Sequence, residues 1–239
     1  GEPAPFSNEP PVTWDVPTHA AFAVALEETR DSFPQKVRPV VEGQPIEGEP
    51  TYRSADPNAP ERVVAEVVQA DEKTVMRAVA AARAAFADWS ATPAEQRAAC
   101  LFRAAAIVRE RRHPLAALLV YEGGKNWNEA QADIGEAVDF LEFYGREMLR
   151  LDAPRVVSDL PGETSRLSYI PRGVGAVIAP WNFPLPISMG MTAAAIVTGN
   201  TVVYKPASRT PAIGQAVYEI YAQAGLPPGV LNLVPGAGS

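Results

Sequence analysis

The sequence has a single cysteine, no long apolar run and a shortage of basic residues. One cysteine, Cys100, cannot form an intrachain disulfide, which fits a reducing compartment such as the cytoplasm. No apolar run is long enough to span a bilayer, and the first residues are rich in proline and acid rather than basic and then apolar. We therefore expect no membrane partner, no signal peptide and a cytoplasmic location.

The charge balance argues against a nucleic-acid partner. The 239 residues include 28 acidic and 21 basic side chains, a net charge of −7, which does not favour general binding to nucleic acid. With 47% apolar and 21% charged residues, the composition is that of a globular chain that can bury a substantial core. The sequence shows neither internal repeats nor low-complexity tracts.

The stretch from residue 173 to 206 has the pattern of a parallel βαβ unit. Two apolar runs, 174–179 and 201–205, are separated by a proline-bounded turn and an alanine-rich helical segment. Asn182 and Lys205 lie at or just beyond the ends of these runs, at the sheet edge where ligands bind in such folds. On the residues alone, Asn182 is equally well explained as a catalytic amide and as a residue that shapes the turn.

Helices and short strands are predicted on either side of this unit. Asp71 is a plausible helix cap, and Thr92-Pro93-Ala94-Glu95 resembles a capping box with proline at the first helical position. Residues 151–172 alternate around Pro161-Gly162 and predict a hairpin. We predict helices at 18–33, from 71, at 94–112, 114–123, 128–149, 185–198 and 211–224, and strands at 63–68, 174–179, 201–205 and 230–234.

Three acidic residues share one face of the long helix predicted at 128–149. Glu129, Asp133 and Glu136 follow one another at helical spacing. A solvated acidic face is the ordinary explanation of such a pattern, and spacing alone favours it.

Five short blocks follow one another along the second half of the sequence: Ala179-Pro180-Trp181-Asn182-Phe183-Pro184, Gly199-Asn200-Thr201-Val202-Val203, Lys205-Pro206-Ala207, Ala224-Gly225-Leu226-Pro227-Pro228-Gly229-Val230 and Pro235-Gly236-Ala237-Gly238. In their order and spacing these blocks resemble the aldehyde dehydrogenase superfamily. Further upstream, Tyr121 to Trp127 and Ala132 to Phe140 are similar to the branch that oxidises glutamate γ-semialdehyde.

The resemblance implies an α/β fold with a helical N-terminal layer, a partial doubly wound parallel sheet and a protruding β-hairpin. The expected organisation is an N-terminal arm and helix at 1–35 and the helical part of a cofactor-binding domain at 36–150. A hairpin used in oligomer assembly follows at 151–172, and a βαβαβ half of the dinucleotide-binding sheet at 173–239. A homo-oligomer formed through the hairpin is therefore expected.

The same resemblance implies roles for particular residues. Asn182 would stabilise the oxyanion formed when a thiol adds to the aldehyde, and Glu136 and Phe183 would contact the aldehyde. The residues implied in cofactor binding are Ile178, Ala179, Pro180, Trp181, Lys205, Ser208, Gly236 and Gly238. No metal site is expected.

One position departs from the pattern expected of an NAD enzyme. Three residues after the lysine that Lys205 matches, the family commonly has a glutamate that binds the ribose hydroxyls. In this sequence Ser208 occupies that position. An anionic group at that place would repel a 2′-phosphate, so its absence leaves NADP open beside NAD.

The family's nucleophile is a second departure. It is a cysteine well downstream, whereas Cys100 lies in an alanine-rich predicted helix, where packing is the usual role of a thiol. We expect a truncated form that cannot oxidise aldehydes on its own. Two alternatives stay open: another branch of the family, acting on succinate semialdehyde or betaine aldehyde, and a non-catalytic nucleotide-binding or assembly module.

Overall fold

Three of the helices begin at a polar residue whose side chain accepts a hydrogen bond from the first turn. Asp15 accepts from the N–H of Thr18, Asp71 from Thr74, and Asn126 from Glu129, whose own side chain completes a capping box. The computed structural model describes residues 4–237, and its helices are α1 (Val16–Asp31), α2 (Glu72–Ala91), α3 (Ala94–Glu110), α4 (Arg112–Gly123), α5 (Trp127–Asp152), α6 (Pro186–Val197) and α7 (Pro211–Gln223).

The strands form a five-stranded sheet, a three-stranded sheet and a hairpin. The main sheet has the order β3-β2-β10-β9-β8, the second has the order β1-β5-β4, and β6 pairs with β7 alone. The strands are β1 (Gln35–Val37), β2 (Val40–Val41), β3 (Gln44–Pro45), β4 (Tyr52–Asp56), β5 (Ala59–Val67), β6 (Arg155–Leu160), β7 (Glu163–Leu167), β8 (Val174–Ile178), β9 (Thr201–Lys205) and β10 (Leu231–Leu233).

The predicted βαβαβ unit is confirmed. β8 runs parallel to β9 in the register Val174 to Thr201, and β10 runs parallel to β9 in the register Leu231 to Val202. α6 and α7 are the two crossover helices. The region labelled as the helical part of the cofactor-binding domain begins with strands of both sheets, which include β5 over the strand predicted at 63–68. β2 pairs antiparallel with β10 through Val40 and Leu233. The α/β fold class predicted from the sequence is therefore correct, with a mixed main sheet.

β9 is the central strand of the unit and is covered on both faces. Val202 and Tyr204 pack into the main core, whereas Val203 packs into a smaller cluster with residues of α2, as the period of two in a strand requires. The hydroxyl of Thr201 donates to the carbonyl of Ala82 in α2, 2.8 Å away. Burial on both faces explains why this run is apolar throughout.

Two helix starts differ from the prediction. The capping box at Thr92 is wrong, because Thr92 ends α2 by donating from its hydroxyl to the carbonyl of Asp88, and α3 follows Pro93 without a side-chain cap. α4 begins at Arg112, two residues before Pro114. Proline is tolerated there because the first N–H groups of a helix have no partner within it.

The N-terminal arm packs along the helical layer. The Glu9 carboxylate binds Arg109 and Arg112 at 2.9 and 2.6 Å, and the guanidinium of Arg146 donates to the carbonyl of Ala4. The hairpin predicted within 151–172 is present as β6 and β7, and every residue of β6 is exposed. Within residues 4–237, no helix has the length and apolar character needed to cross a bilayer.

One buried carboxylate joins three elements. Glu122, near the end of α4, accepts from the hydroxyl of Ser54 in β4 at 2.7 Å. It also accepts from the N–H groups of Ala212 and Ile213, at 3.0 and 2.9 Å, in the first turn of α7. An anion at a helix N-terminus is stabilised by the helix dipole, so the fold supplies Glu122 with the partners that a buried carboxylate needs.

Glu122→Gln should lower the free energy of unfolding by about 2 kcal/mol, because the amide group would face one of these donors and leave a buried N–H unpaired. Chemical denaturation of the two chains measures the difference. Glu110→Gln makes the same chemical change at an exposed position and should alter stability by less than about 0.5 kcal/mol. Equal effects of the two substitutions would contradict the assigned role.

The same residue gives the stability a pH dependence. Burial raises the pKa of Glu122 from the ordinary 4.5 to about 7, although its three hydrogen bonds oppose the shift. Between these values the unfolded chain has lost this proton and the folded chain has kept it, so the free energy of unfolding falls as the pH rises through that window. This part of the slope should disappear in Glu122→Gln.

Candidate functional site

The carboxyl ends of β8 and β9 lie side by side. Ile178 is the register partner of Lys205, and the N–H of Ala179 donates to the carbonyl of Lys205 at 3.2 Å. Beyond this point the chain leaves the sheet at Pro180, turns through Trp181, Asn182 and Phe183, and enters α6. The parallel pairing therefore places the start of the predicted catalytic turn beside the predicted cofactor lysine.

The turn faces an open cleft of about 420 Å³. Trp181, Asn182 and Phe183 line one side of it. The other side comes from the α4–α5 corner and the first turns of α5, through Gly123, Gly124, Lys125, Glu129, Ala132, Asp133 and Glu136. The structure thus brings together Asn182, Phe183 and Glu136, the three residues that the resemblance implies in aldehyde chemistry.

Asp133 does not lie on a solvated face, and the prediction was wrong for this residue. Its side chain is 3% exposed and pairs with the Lys125 ammonium at 2.9 Å. Burial, with smaller contributions from Glu136 and Glu129, raises the pKa of Asp133 to about 6 although Lys125 opposes the shift. Glu129 and Glu136 are exposed, as predicted.

The sequence did contain a signal for the burial of Asp133. It stands three residues after Ala130 and four before Ala137, both fully buried, and so falls within the apolar stripe of α5. Lys125 was not predicted as a site residue. It directly precedes the helix cap Asn126, from where a long side chain can reach back over the first turns of α5.

Both aromatic residues that flank Asn182 carry a cation over their rings. The Lys125 ammonium lies 4.2 Å from the centroid of the Phe183 ring, and the Arg209 guanidinium lies 5.2 Å from the centroid of Trp181. The Phe183 and Trp181 side chains are 41% and 52% exposed, so neither ring is enclosed by core packing. The two contacts tie the turn to the α4–α5 corner and to the loop before α7.

Lys205 has a position suited to binding a polar ligand. It is half-buried, and among the described residues its ammonium donates only to the carbonyl of Pro206, at 3.3 Å. Burial lowers the pKa of Lys205, and no carboxylate lies within ion-pair distance of it in residues 4–237. Its donors can therefore bind ribose hydroxyls.

The remaining predicted cofactor residues occupy the same edge or lie outside the described range. Ser208 lies in the turn after β9, where the N–H of Thr210 donates to the carbonyl of Ala207. Gly236 follows β10 and lies against Gln69. Gly238 lies outside the described residues. Lys205, Ser208 and Gly236 therefore all lie at or beyond the carboxyl ends of strands of the main sheet.

Cys100 is distant in the fold from this chemistry. It lies on α3, where its buried thiol faces the carbonyl of Ala224 at the end of α7, 3.7 Å away. Burial raises the pKa of this thiol, which disfavours the thiolate that a nucleophile requires. Cys100 does not line the cleft and is a packing residue, as predicted.

The aldehyde dehydrogenase family model matches residues 46–239. The 1-pyrroline-5-carboxylate dehydrogenase of Geobacillus thermodenitrificans is 46% identical over 236 residues, which are 98% of this chain and 46% of the relative. The chain spans about half the length of the curated relatives it matches.

Solved structures superimpose closely on the fold. Proline utilization A (PutA) of Bdellovibrio bacteriovorus gives a TM-score of 0.95 at 39% identity, covering 99% of this chain and 25% of that one. A mutant of the Thermus thermophilus 1-pyrroline-5-carboxylate dehydrogenase gives a TM-score of 0.95 at 42% identity, and the match covers 98% of this chain and 46% of that one. The Thermus enzyme with bound NAD gives a TM-score of 0.92 at 41% identity, and the match covers 97% of this chain and 45% of that one.

Proposed function

The chain belongs to the aldehyde dehydrogenase family, and we propose that it is part of an NAD-dependent enzyme that oxidises glutamate γ-semialdehyde to glutamate in proline breakdown. The relatives named above are 1-pyrroline-5-carboxylate dehydrogenases and proline utilization A. The cyclic imine 1-pyrroline-5-carboxylate is the ring-closed form of this semialdehyde. The observation that carries the proposal is the cleft that brings Asn182 and Phe183 together with Glu136.

Asn182 supplies the catalytic group that this chain contributes. When a thiolate adds to an aldehyde, the carbonyl oxygen becomes an oxyanion, and the amide N–H of Asn182, which lines the cleft, would donate to it. One such donor is worth about 3 kcal/mol in the transition state. Because Cys100 is buried away from the cleft, we propose that the thiolate comes from the part of the relatives' length that this chain does not span.

The charges around the cleft favour a substrate that carries an ammonium group. The lining includes three carboxyl groups, Glu129, Asp133 and Glu136, and one ammonium, Lys125. Lys125 and Asp133 neutralise each other, so an incoming molecule meets the charge of the two exposed glutamates. Glutamate γ-semialdehyde has an α-ammonium that this field attracts, whereas succinate semialdehyde has only a carboxylate.

The cofactor is proposed to bind at the ends of β8 and β9. Lys205 would hold the adenosine ribose, and Ile178, Ala179, Pro180 and Trp181 would form the wall beside it. When bound, a nicotinamide dinucleotide supplies the acceptor for the aldehyde's hydride. The Thermus relative binds NAD, which supports NAD here, and Ser208 places no carboxylate against a 2′-phosphate, so use of NADP is part of the same proposal.

The hairpin of β6 and β7 is proposed as an assembly surface between copies of the chain. A two-stranded hairpin is marginally stable without a partner, and in residues 4–237 neither strand pairs with a third. Its exposed apolar side chains include Val156, Val157, Leu160 and Leu167. We also propose a cytoplasmic location, because the free thiol of Cys100 suits a reducing compartment.

In the complete enzyme, Asn182→Ala should reduce kcat for glutamate γ-semialdehyde by about 100- to 1,000-fold, because one oxyanion donor is lost. Steady-state kinetics with succinate semialdehyde and betaine aldehyde as competing substrates measure the specificity. Asn58→Ala, at an exposed turn between β4 and β5, should leave kcat unchanged. A preference for succinate semialdehyde, or full activity of Asn182→Ala, would contradict the proposal.

Lys205→Met should weaken the binding of AMP and NAD to the 239-residue chain by about tenfold, because a charge-assisted hydrogen bond to the ribose is lost. Isothermal titration calorimetry with AMP, NAD and NADP measures this. Lys36→Met, an exposed lysine on β1, is the matched control and should bind as the wild type does. If Lys205→Met binds these nucleotides as tightly as the wild type, the assignment of Lys205 is wrong.

Val157→Asp should shift the chain toward the monomer, since it places a charge in the proposed assembly surface. Light scattering after size exclusion measures the mass distribution. Val24→Asp, on α1, changes a side chain of similar exposure, 52% against 55%, and should leave the distribution unaltered. The hairpin is not the assembly surface if both variants associate like the wild type.

A further inference from the structure

The turn that carries Asn182 has few restraints of its own. Residues 181–183 are exposed and belong to no strand or helix. The backbone around them is tied where Ala179 pairs with Lys205 and where the N–H of Ile187 donates to the carbonyl of Phe183 at 3.2 Å. An oxyanion donor needs a fixed direction to be effective, so other contacts must hold this turn.

Those contacts are the two cations over the rings on either side of Asn182. Arg209 is itself exposed, and it makes no salt bridge among the residues that the structure describes. Lys125 is different, because its side chain is 11% exposed and its ammonium is fixed by Asp133. Of the two cations, Lys125 is therefore the one held in a single place.

Lys125 is also fixed at its backbone. Its N–H donates to the carbonyl of Leu119 in α4 at 3.4 Å, and the next residue, Asn126, forms the capping box of α5. Asp133 follows two turns later on the same helix, within the buried stripe. The ammonium thus has a rigid helix behind it and the Phe183 ring in front of it, 4.2 Å away.

We infer that Lys125, oriented by Asp133, is a positioning residue that holds the Phe183 ring and so aims the Asn182 amide. The cation attracts the negative face of the ring, an interaction that is stronger when the cation is shielded from water. Phe183 adjoins Asn182 in the chain, so restraining the ring restrains the amide. The catalytic consequence depends on the proposed function, whereas the restraint itself does not.

Nuclear magnetic resonance of the labelled 239-residue chain tests the restraint without any substrate. The Asn182 side-chain amide signal is assigned by its loss in Asn182→Asp. In Lys125→Met, which keeps the length of the side chain, the Asn182 amide and Phe183 ring signals should shift and broaden. Lys125→Arg should restore them in large part, and Lys73→Met, at an exposed position on α2, should not move them.

Two further measurements keep the test decisive if Lys125→Met is poorly folded. Phe183→Leu changes a side chain that is 41% exposed and should move the Asn182 amide in the same way. Lowering the pH through about 6 protonates Asp133, whose other titratable neighbours in the cleft are Glu129 and Glu136, and weakens its pair with Lys125. The Phe183 signals should then follow the pH with that midpoint, and Asp133→Asn should abolish the transition.

In the complete enzyme, Lys125→Met should lower kcat by roughly tenfold to thirtyfold, the loss expected for a shielded cation–π contact, with little change in the KM for the dinucleotide. Unchanged Asn182 and Phe183 signals in folded Lys125→Met, or an unchanged Asn182 amide signal in Phe183→Leu, would overturn the inference. If the signals move as expected but the enzyme does not oxidise the semialdehyde, the proposed function fails and the positioning role of Lys125 stands.

Discussion

The carboxylate of Glu122 holds together the parts on which the site is built. It joins the end of α4, strand β4 of the smaller sheet and the first turn of α7, which crosses over the larger sheet. A buried charge without partners would be strongly destabilising. Here three donors and the α7 dipole surround it, so one side chain links β4 of the smaller sheet to the crossover helix of the larger one.

The cleft depends on the chain that follows Glu122 directly. α4 ends at Gly124 in the left-handed region, with φ of 67°, and a Cβ there would come within 2.7 Å of Pro57. Only glycine meets both conditions without strain. The turn places Lys125 at the cleft and Asn126 at the start of α5. The corner that Glu122 anchors therefore also determines where the Lys125 ammonium contacts the Phe183 ring.

Local patterns were sufficient for the parallel unit and insufficient for Lys125 and Asp133, whereas the role of Asn182 follows from the family resemblance and stays a prediction. The apolar runs of β8 and β9 and the cap Asp71 are encoded by neighbouring residues, so a short window reveals the elements they form. The cap of α5 at Asn126 was not predicted. Thr92 was misassigned because two helices meet within two residues and the earlier one takes its hydroxyl. The place of Asp133 in the apolar stripe of α5 can be found in the sequence, but only the folded corner brings its partner Lys125 within reach.

The pairing of Lys125 with Asp133 also determines what charge the cleft presents. If Lys125 lay free, its ammonium would attract the carboxylate of any semialdehyde, and the site would not distinguish succinate semialdehyde from a substrate with an α-ammonium. Because Asp133 neutralises it, the remaining field comes from Glu129 and Glu136, which are exposed at the cleft. We therefore propose two effects of one ion pair: it holds the ring beside Asn182, and it leaves an acidic surface that would favour an aldehyde with an ammonium group.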